Sequence, residues 1–188
     1  MKRLVSSVLA VILSFGAIGA NGQDPALFDA EGYRTARYRA VVPAAPEGVR
    51  RIEFEEVRRL LRTHVLFIDT TPAEGGVRDA EGRWRLAEAH FTIPGAHWFP
   101  ESGRSPIAPA IEKWWLDGLA RLTHGRRDRP VVLFCLADCW MSWNAALRAH
   151  RAGYTQVLWY ADGIDGWKEH GQKLHSATPF IARYAKGE

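Results

Sequence analysis

The chain's only two cysteines, Cys135 and Cys139, fall within Val131-Val132-Leu133-Phe134-Cys135-Leu136-Ala137-Asp138-Cys139-Trp140. An apolar run ends there and a helix-like segment begins. Such a junction places its connecting loop at the carboxyl edge of a sheet, with the unsatisfied N–H groups of the next helix aimed at it. Those donors favour an anion, and a helix N-terminus lowers a thiol from its ordinary pKa of about 8.5 by one unit or more. The spacing therefore predicts sulfur chemistry with Cys135 as the activated thiol. A second thiol four positions on is placed to attack a mixed disulfide or persulfide formed on the first, which releases the cargo and closes an intramolecular disulfide. Three intervening residues allow the roughly 4.4–6.8 Å between Cα atoms that a disulfide needs, provided the loop is not a regular helix. The competing reading is a permanent structural bridge, although so small a loop restricts the unfolded chain only slightly.

Around the pair, Leu136, Ala137, Asp138, Trp140, Met141 and Ser142 form the expected active-site loop, with Trp140 and Met141 shaping a pocket. Asp69 ends an apolar run and reads as a loop-organising hydrogen-bond acceptor, and Trp143 as a supporting residue. Trp98, Trp140, Trp143, Trp159 and Trp167 offer rings for a platform under a planar quinone, yet large aromatics more often fill cores. His90 and His97 fit no compact zinc spacing with the cysteines, so no metal is expected. Neither a Ser-His-Asp order nor a phosphate loop competes with the cysteine site.

The elements that position this loop follow from periodicity. Phe54, Val57, Leu60 and Leu61 recur at helical spacing, and Val65 to Asp69 reads as a buried strand turning at Pro72. A polar stretch, 70–88, reads as a long loop. Helical spacing returns over 107–122, and strand 131–134, the cysteine loop, a helix over 142–152, strand 157–159 and a short helix over 163–170 follow. Short buried strands alternating with helices predict an α/β fold, a single domain built on a parallel sheet flanked by helices. Residues 23–50, rich in Pro, Ala and Gly, read as an extended arm whose Tyr33, Tyr38 and Val41-Val42 dock on the domain. The domain is expected over 51–174, with a tail over 175–188.

Compartment is read at the other end. Lys2 and Arg3 precede an apolar stretch from Leu4 to Ala20, and Ala20-Asn21-Gly22 supplies small residues for cleavage, so residues 1–22 predict a secretory signal and a periplasmic mature protein. The stretch carries Ser6, Ser7 and Ser14 and falls short of the ~20 apolar residues a span requires, so no stable membrane anchor is expected. An oxidising compartment would require a thiol reductant or sulfur donor as partner. The formal net charge of +4 falls to +2 without Lys2 and Arg3, and the remaining basic residues are scattered apart from 125–129. No basic surface interleaved with aromatics is legible, which argues against nucleic acid.

Asp69 after its strand, Ile93-Pro94-Gly95-Ala96, the strand into Cys135, Ala152-Gly153-Tyr154 and Asp162-Gly163-Ile164-Asp165-Gly166-Trp167 together resemble a rhodanese-like domain. The resemblance implies Cys135 at the position where family enzymes carry sulfane sulfur as a persulfide. Phe134 to Ala146, with the Gly32-Tyr33-Arg34 to Tyr38-Arg39 arm, is similar to exported rhodanese-like proteins associated with pyrroloquinoline quinone (PQQ)-dependent alcohol catabolism and known for a Cys-Cys-Trp motif. That narrower resemblance implies an accessory role beside a PQQ-dependent dehydrogenase or its cytochrome. It leaves open two classes: thiol chemistry, or a binding or maturation factor with a structural disulfide; PQQ itself is a possible ligand and no cofactor is required. Where ordinary rhodaneses place an arginine to hold an anionic donor, this chain has Trp140 and Met141, so weak thiosulfate turnover is expected.

Overall fold

Three runs, β2 (Leu66–Asp69), β7 (Val131–Phe134) and β8 (Val157–Tyr160), are buried at every position, as central strands of a sheet covered on both faces must be. They belong to a computed structural model that describes residues 24–181. Its remaining elements are β1 (Arg50–Ile52), α1 (Phe54–Leu60), β3 (Val77–Arg78), β4 (Trp84–Arg85), β5 (His90–Thr92), β6 (His97–Trp98), α2 (Pro109–Leu122), α3 (Trp140–Arg151), α4 (Gly163–Glu169) and β9 (His175–Ala177). Five strands form one parallel sheet in the order β1-β8-β7-β2-β6. This is the α/β fold that the periodicity predicts, with each expected helix and strand present and ends shifted by one or two residues.

Alternation along the strands decides which helix goes where. Leu66, Ile68, Val131, Leu133, Val157 and Trp159 point to one face and pack with Trp115 and Leu119 of α2 and Trp140, Trp143 and Ala146 of α3. Phe67, Val132, Phe134, Leu158 and Tyr160 point to the other face and meet Phe54 and Val57 of α1 and Ile164 and Trp167 of α4. Fully burying each Val, Leu, Ile or Phe contributes about 1.5–3 kcal/mol, so the two layers hold the central strands rigid. The rigid pair β2 and β7, in register from Leu66↔Val131 to Asp69↔Phe134, ends beside the cysteine loop.

Three expectations about the periphery are corrected. The stretch 70–88 contains a short hairpin, β3 with β4. Asp79 makes it, because its carboxylate accepts the Arg83 N–H at 2.8 Å while the Asp79 N–H donates to the Arg83 carbonyl. The segment 175–181 is part of the fold and not a tail: β9 pairs antiparallel with β5, and the Phe180 N–H donates to the Trp98 carbonyl at 2.8 Å. Phe180 also stacks on Phe99 at 4.8 Å. The arm has local structure as well, a single 3-10 turn at Pro25–Leu27 and a bridge between Phe28 and Arg34, and it gives up Arg50 to β1. The predicted secretory signal, residues 1–22, lies outside the described residues, as does 182–188. Among the described residues no helix is long and apolar enough to cross a membrane.

Candidate active site

Cys135 leaves β7 directly into the loop and Cys139 is the residue that caps α3, with extended backbone angles of φ −131° and ψ 118°. Between them Asp138 takes a left-handed conformation, φ +48°, which an Asp tolerates better than most side chains and which reverses the chain toward the helix. The loop is clamped from beneath by α4. Ile164 donates its N–H to the Cys135 carbonyl at 2.8 Å, and the Asp165 carboxylate accepts the Ala137 N–H at 3.1 Å. Gly163 permits this approach: a Cβ there would lie 2.1 Å from the Cys135 carbonyl oxygen, and its φ of +55° suits glycine. The Phe134 carbonyl accepts from the backbone and hydroxyl of Thr70, which ties the end of β7 to the turn after β2.

Both thiols are free and buried. Cys135 Sγ lies 3.1 Å from the Ser142 hydroxyl and accepts the Ser142 N–H at 3.4 Å. It also lies 3.4 Å from the Cys139 carbonyl. Trp159 fixes that hydroxyl by donating its indole N–H to Ser142 Oγ at 3.0 Å. The two thiols influence each other and divide their acidities. Burial pushes the Cys135 thiol well above its ordinary value, and its bond to Cys139 pushes the same way. Cys139 is lowered to about 7, first by the bond from Cys135, then, against the opposing effect of burial, by the Met141 amide, the charge of Arg39 and the Leu136 amide.

The helix junction therefore does not acidify Cys135, as the sequence led us to expect. Its sulfur is fully enclosed, which holds its thiol up, and it sits beside Cys139, whose thiol is held down at the helix cap where the end of the dipole acts. Both cysteines remain together in one site, with Leu136 and Ala137 half-buried, Asp138 exposed, and Trp140, Met141 and Ser142 buried against them. Trp143 packs on Trp140 with ring centroids 5.1 Å apart and also holds the arm, because its indole N–H donates to the Ala44 carbonyl at 2.9 Å.

The residues that sequence reasoning missed come mainly from the arm. Trp140 donates its N–H to the Tyr38 carbonyl at 2.8 Å, the Ala40 N–H donates to the Asp138 carbonyl at 2.9 Å, and Arg39 faces Cys139 in an antiparallel bridge. Tyr38 packs against Cys135, Cys139 and Met141 and exchanges hydrogen bonds with Ser105, whose N–H it accepts at 2.9 Å. Farther along, Asn144 accepts the Arg34 N–H and donates to the Arg34 carbonyl, and the Arg34 guanidinium lies 4.7 Å over the Trp140 ring. The arm is thus a cover stitched to both ends of the loop. The docking of Tyr33 and Tyr38 is legible in the sequence as aromatic residues in a stretch rich in Pro, Ala and Gly, whereas the pairing of Arg39 with Cys139 is not.

Asp69 does organise its turn by accepting the Thr71 N–H at 2.8 Å, and it also holds His90 Nε2 at 2.6 Å. Trp98 stacks on that imidazole at 4.0 Å, and a cavity of about 140 Å³ opens beside it between 72–74 and 86–90. The five tryptophans do not gather into a platform. Trp140, Trp143 and Trp159 fill one layer, Trp167 fills the opposite one, and Trp98 lies under His90. Among the described residues no group of three or more His, Cys, Asp or Glu side chains is arranged to hold a metal.

No curated protein sequence matches the chain. Among solved structures, a thiosulfate sulfurtransferase from Pseudomonas aeruginosa matches at 19% identity and a TM-score of 0.47, over 70% of this chain but 21% of its own length. The polysulfide-sulfur transferase of Wolinella succinogenes matches at 13% identity and a TM-score of 0.45, over 74% of this chain and 85% of its own. A human single-domain sulfurtransferase matches at 24% identity and a TM-score of 0.42, over 63% and 94% respectively. The model of the rhodanese-like domain matches residues 53–170, which run from the cap of α1 through the cysteine loop to the cap of α4, and the chain therefore belongs to the rhodanese-like domain family.

Proposed function

We propose that this chain is an exported thiol protein whose Cys135–Cys139 pair carries sulfur or exchanges disulfides in support of PQQ-dependent alcohol oxidation. One observation carries the chemistry: a thiol of lowered pKa, Cys139, lies beside a buried thiol, Cys135, at the position where the sequence resemblance puts the family's sulfur carrier. The narrower setting rests on the sequence, namely the basic and apolar start of the chain and the likeness of its arm and Cys-Cys-Trp stretch to proteins of alcohol catabolism.

In this reading Cys139 acts first as a base. Its thiolate takes the proton of the neighbouring Cys135, and the Cys135 thiolate attacks the sulfane sulfur of a donor. The donor's S–S bond breaks, its remaining fragment leaves as a thiolate, and Cys135 holds a persulfide. Its raised pKa makes the Cys135 thiolate scarce but strongly nucleophilic once formed. Cys139 returns its proton to solvent and attacks Cys135 Sγ, so that hydrosulfide leaves and a Cys135–Cys139 disulfide closes. A dithiol reductant then reopens the bridge by supplying two electrons. With a disulfide as donor the same sequence exchanges disulfides. Ser142 N–H and Oγ stabilise charge on Cys135, and Trp159 keeps that hydroxyl in place.

The test is intact-mass and peptide analysis after exposure to a sulfane-sulfur donor. Cys139→Ser, which has lost the base, should form a Cys135 persulfide more slowly but retain it, Cys135→Ser should hold no persulfide at position 135, and the native protein should turn over to the internal disulfide. Capture by neither single variant nor the native protein would overturn the reading. A binding factor for a quinoprotein dehydrogenase, its cytochrome or PQQ is the second reading, favoured by the burial of both sulfurs beneath the arm. Growth on an alcohol separates them at matched protein levels: thiol chemistry requires Cys135, whereas a binding factor tolerates Cys135→Ser and fails with Trp140→Ala.

A further inference from the structure

The loop from Leu136 to Ser142 contains no cationic side chain, although a thiolate there needs a countercharge. The arm brings one. Arg39 and Cys139 stand directly opposite each other in an antiparallel bridge, fastened on either side by the Trp140 N–H to the Tyr38 carbonyl and the Ala40 N–H to the Asp138 carbonyl. Opposed residues of an antiparallel pair project their side chains to the same face, with Cβ atoms about 4.5–5.5 Å apart. The Arg39 side chain is thus on the side of the ribbon where Cys139 carries its sulfur. Its ion-pair partner, Asp165, is 4.0 Å away, and the same carboxylate oxygen is already engaged by the Ala137 N–H.

We propose that Arg39 is a positioning residue of the thiol site, holding the thiolate of Cys139 from the N-terminal arm. The inference rests on the thiol reading above and extends it: the arm becomes a working part of the site and not only its cover. Consistent with this geometry, the charge of Arg39 contributes to the acidity of Cys139. The charged and titratable groups around Cys139 are Cys135 at the end of β7, Asp138 in the loop, Asp165 of α4, Tyr38 and Arg39 of the arm, and Arg104, whose guanidinium lies 5.1 Å from the Tyr38 ring. The two carboxylates oppose a thiolate, which leaves Arg39 as the cation bridged to it.

The experiment is the pH dependence of Cys139 alkylation by iodoacetamide, followed by peptide mapping in the fully reduced native protein, Arg39→Gln and Arg39→Lys. Removing a partly exposed charge should raise the midpoint of the rate profile by about 0.5–1 unit, and Arg39→Lys should restore it. The thermal midpoint of each variant is recorded alongside, and a merely structural role would move that without moving the pH profile. A native midpoint near 7 that persists in Arg39→Gln overturns this inference and leaves the thiol reading standing. A native protein whose Cys139 titrates like an ordinary thiol overturns the thiol reading as well.

Discussion

Two loops leave neighbouring strands at the same edge of the sheet, and each sets a titratable pair at its start. After β7, Cys135 and Cys139 are sealed beneath Tyr38 and the arm, with relative exposures of 0% and 3%. After β2, Asp69 is equally buried, but its partner His90 reaches the rim of a cavity of about 140 Å³. The carboxylate–imidazole pair is held by short, fixed hydrogen bonds and a stacked tryptophan, as a structural joint is. The thiol pair is held by longer contacts through sulfur and by a segment that belongs to no helix or strand of the sheet. Burial alone therefore does not mark the reactive site. What marks the thiol pair is the unequal acidity of its two sulfurs and a cover that lies outside the sheet.

The sharpest way to break this contrast is to remove the ring on which the cover rests. Trp140 is buried between Arg34, Phe28 and Trp143, with ring centroids 5.4 and 5.1 Å from the latter two. Trp140→Ala should destabilise the protein by about 3–5 kcal/mol in chemical denaturation and expose both thiols to alkylation. A smaller, cleaner cut is Asn144→Ala, which removes the side-chain bonds to Arg34 and to the Gly103 carbonyl. We expect a loss of about 2 kcal/mol, faster hydrogen exchange at Arg34 and faster alkylation of Cys139, with the sheet amides unchanged. Asp69→Asn is the control on the other side of the edge. It should cost about 1–2 kcal/mol by weakening the bonds to His90 and the Thr71 N–H, yet leave the pH midpoint of Cys139 where it was.

Ser142→Ala should have the smallest effect on stability, about 1 kcal/mol, because the hydroxyl it removes lies on Cys135 and accepts from Trp159. Its informative readout is capture: without that hydroxyl, Cys135 loses a partner that lowers its pKa, so persulfide formation at fixed pH should slow. Rates of thiolate chemistry at Cys139 should fall as pH drops below about 7, since protonation removes the nucleophile, and should level off above it.

The α/β architecture was legible because each central strand is short, wholly apolar and followed by a helix of clear period, a pattern in which local propensity and tertiary burial agree. The hairpin at 77–85 escaped because a single Asp79–Arg83 pairing makes it, with no alternation to read. The segment 175–181 escaped because a three-residue edge strand carries too little periodicity to register. At the site, Cys135, Cys139 and Ser142 could be found from their place at a strand–helix junction. Their acidities could not, because these depend on how deeply each sulfur is buried and on Arg39, about a hundred residues away in sequence, a separation no local pattern encodes.

The central claim is that the reduced pair holds its negative charge on Cys139 and its proton on Cys135. Limited alkylation of the reduced native protein across a range of pH, with each cysteine peptide quantified by mass, tests it directly. The account expects Cys139 to be modified first, with a midpoint of about 7, and Cys135 to react only in strongly alkaline solution or after the arm is released. Modification of Cys135 ahead of Cys139, or of both together at the pH of an ordinary thiol, would contradict it.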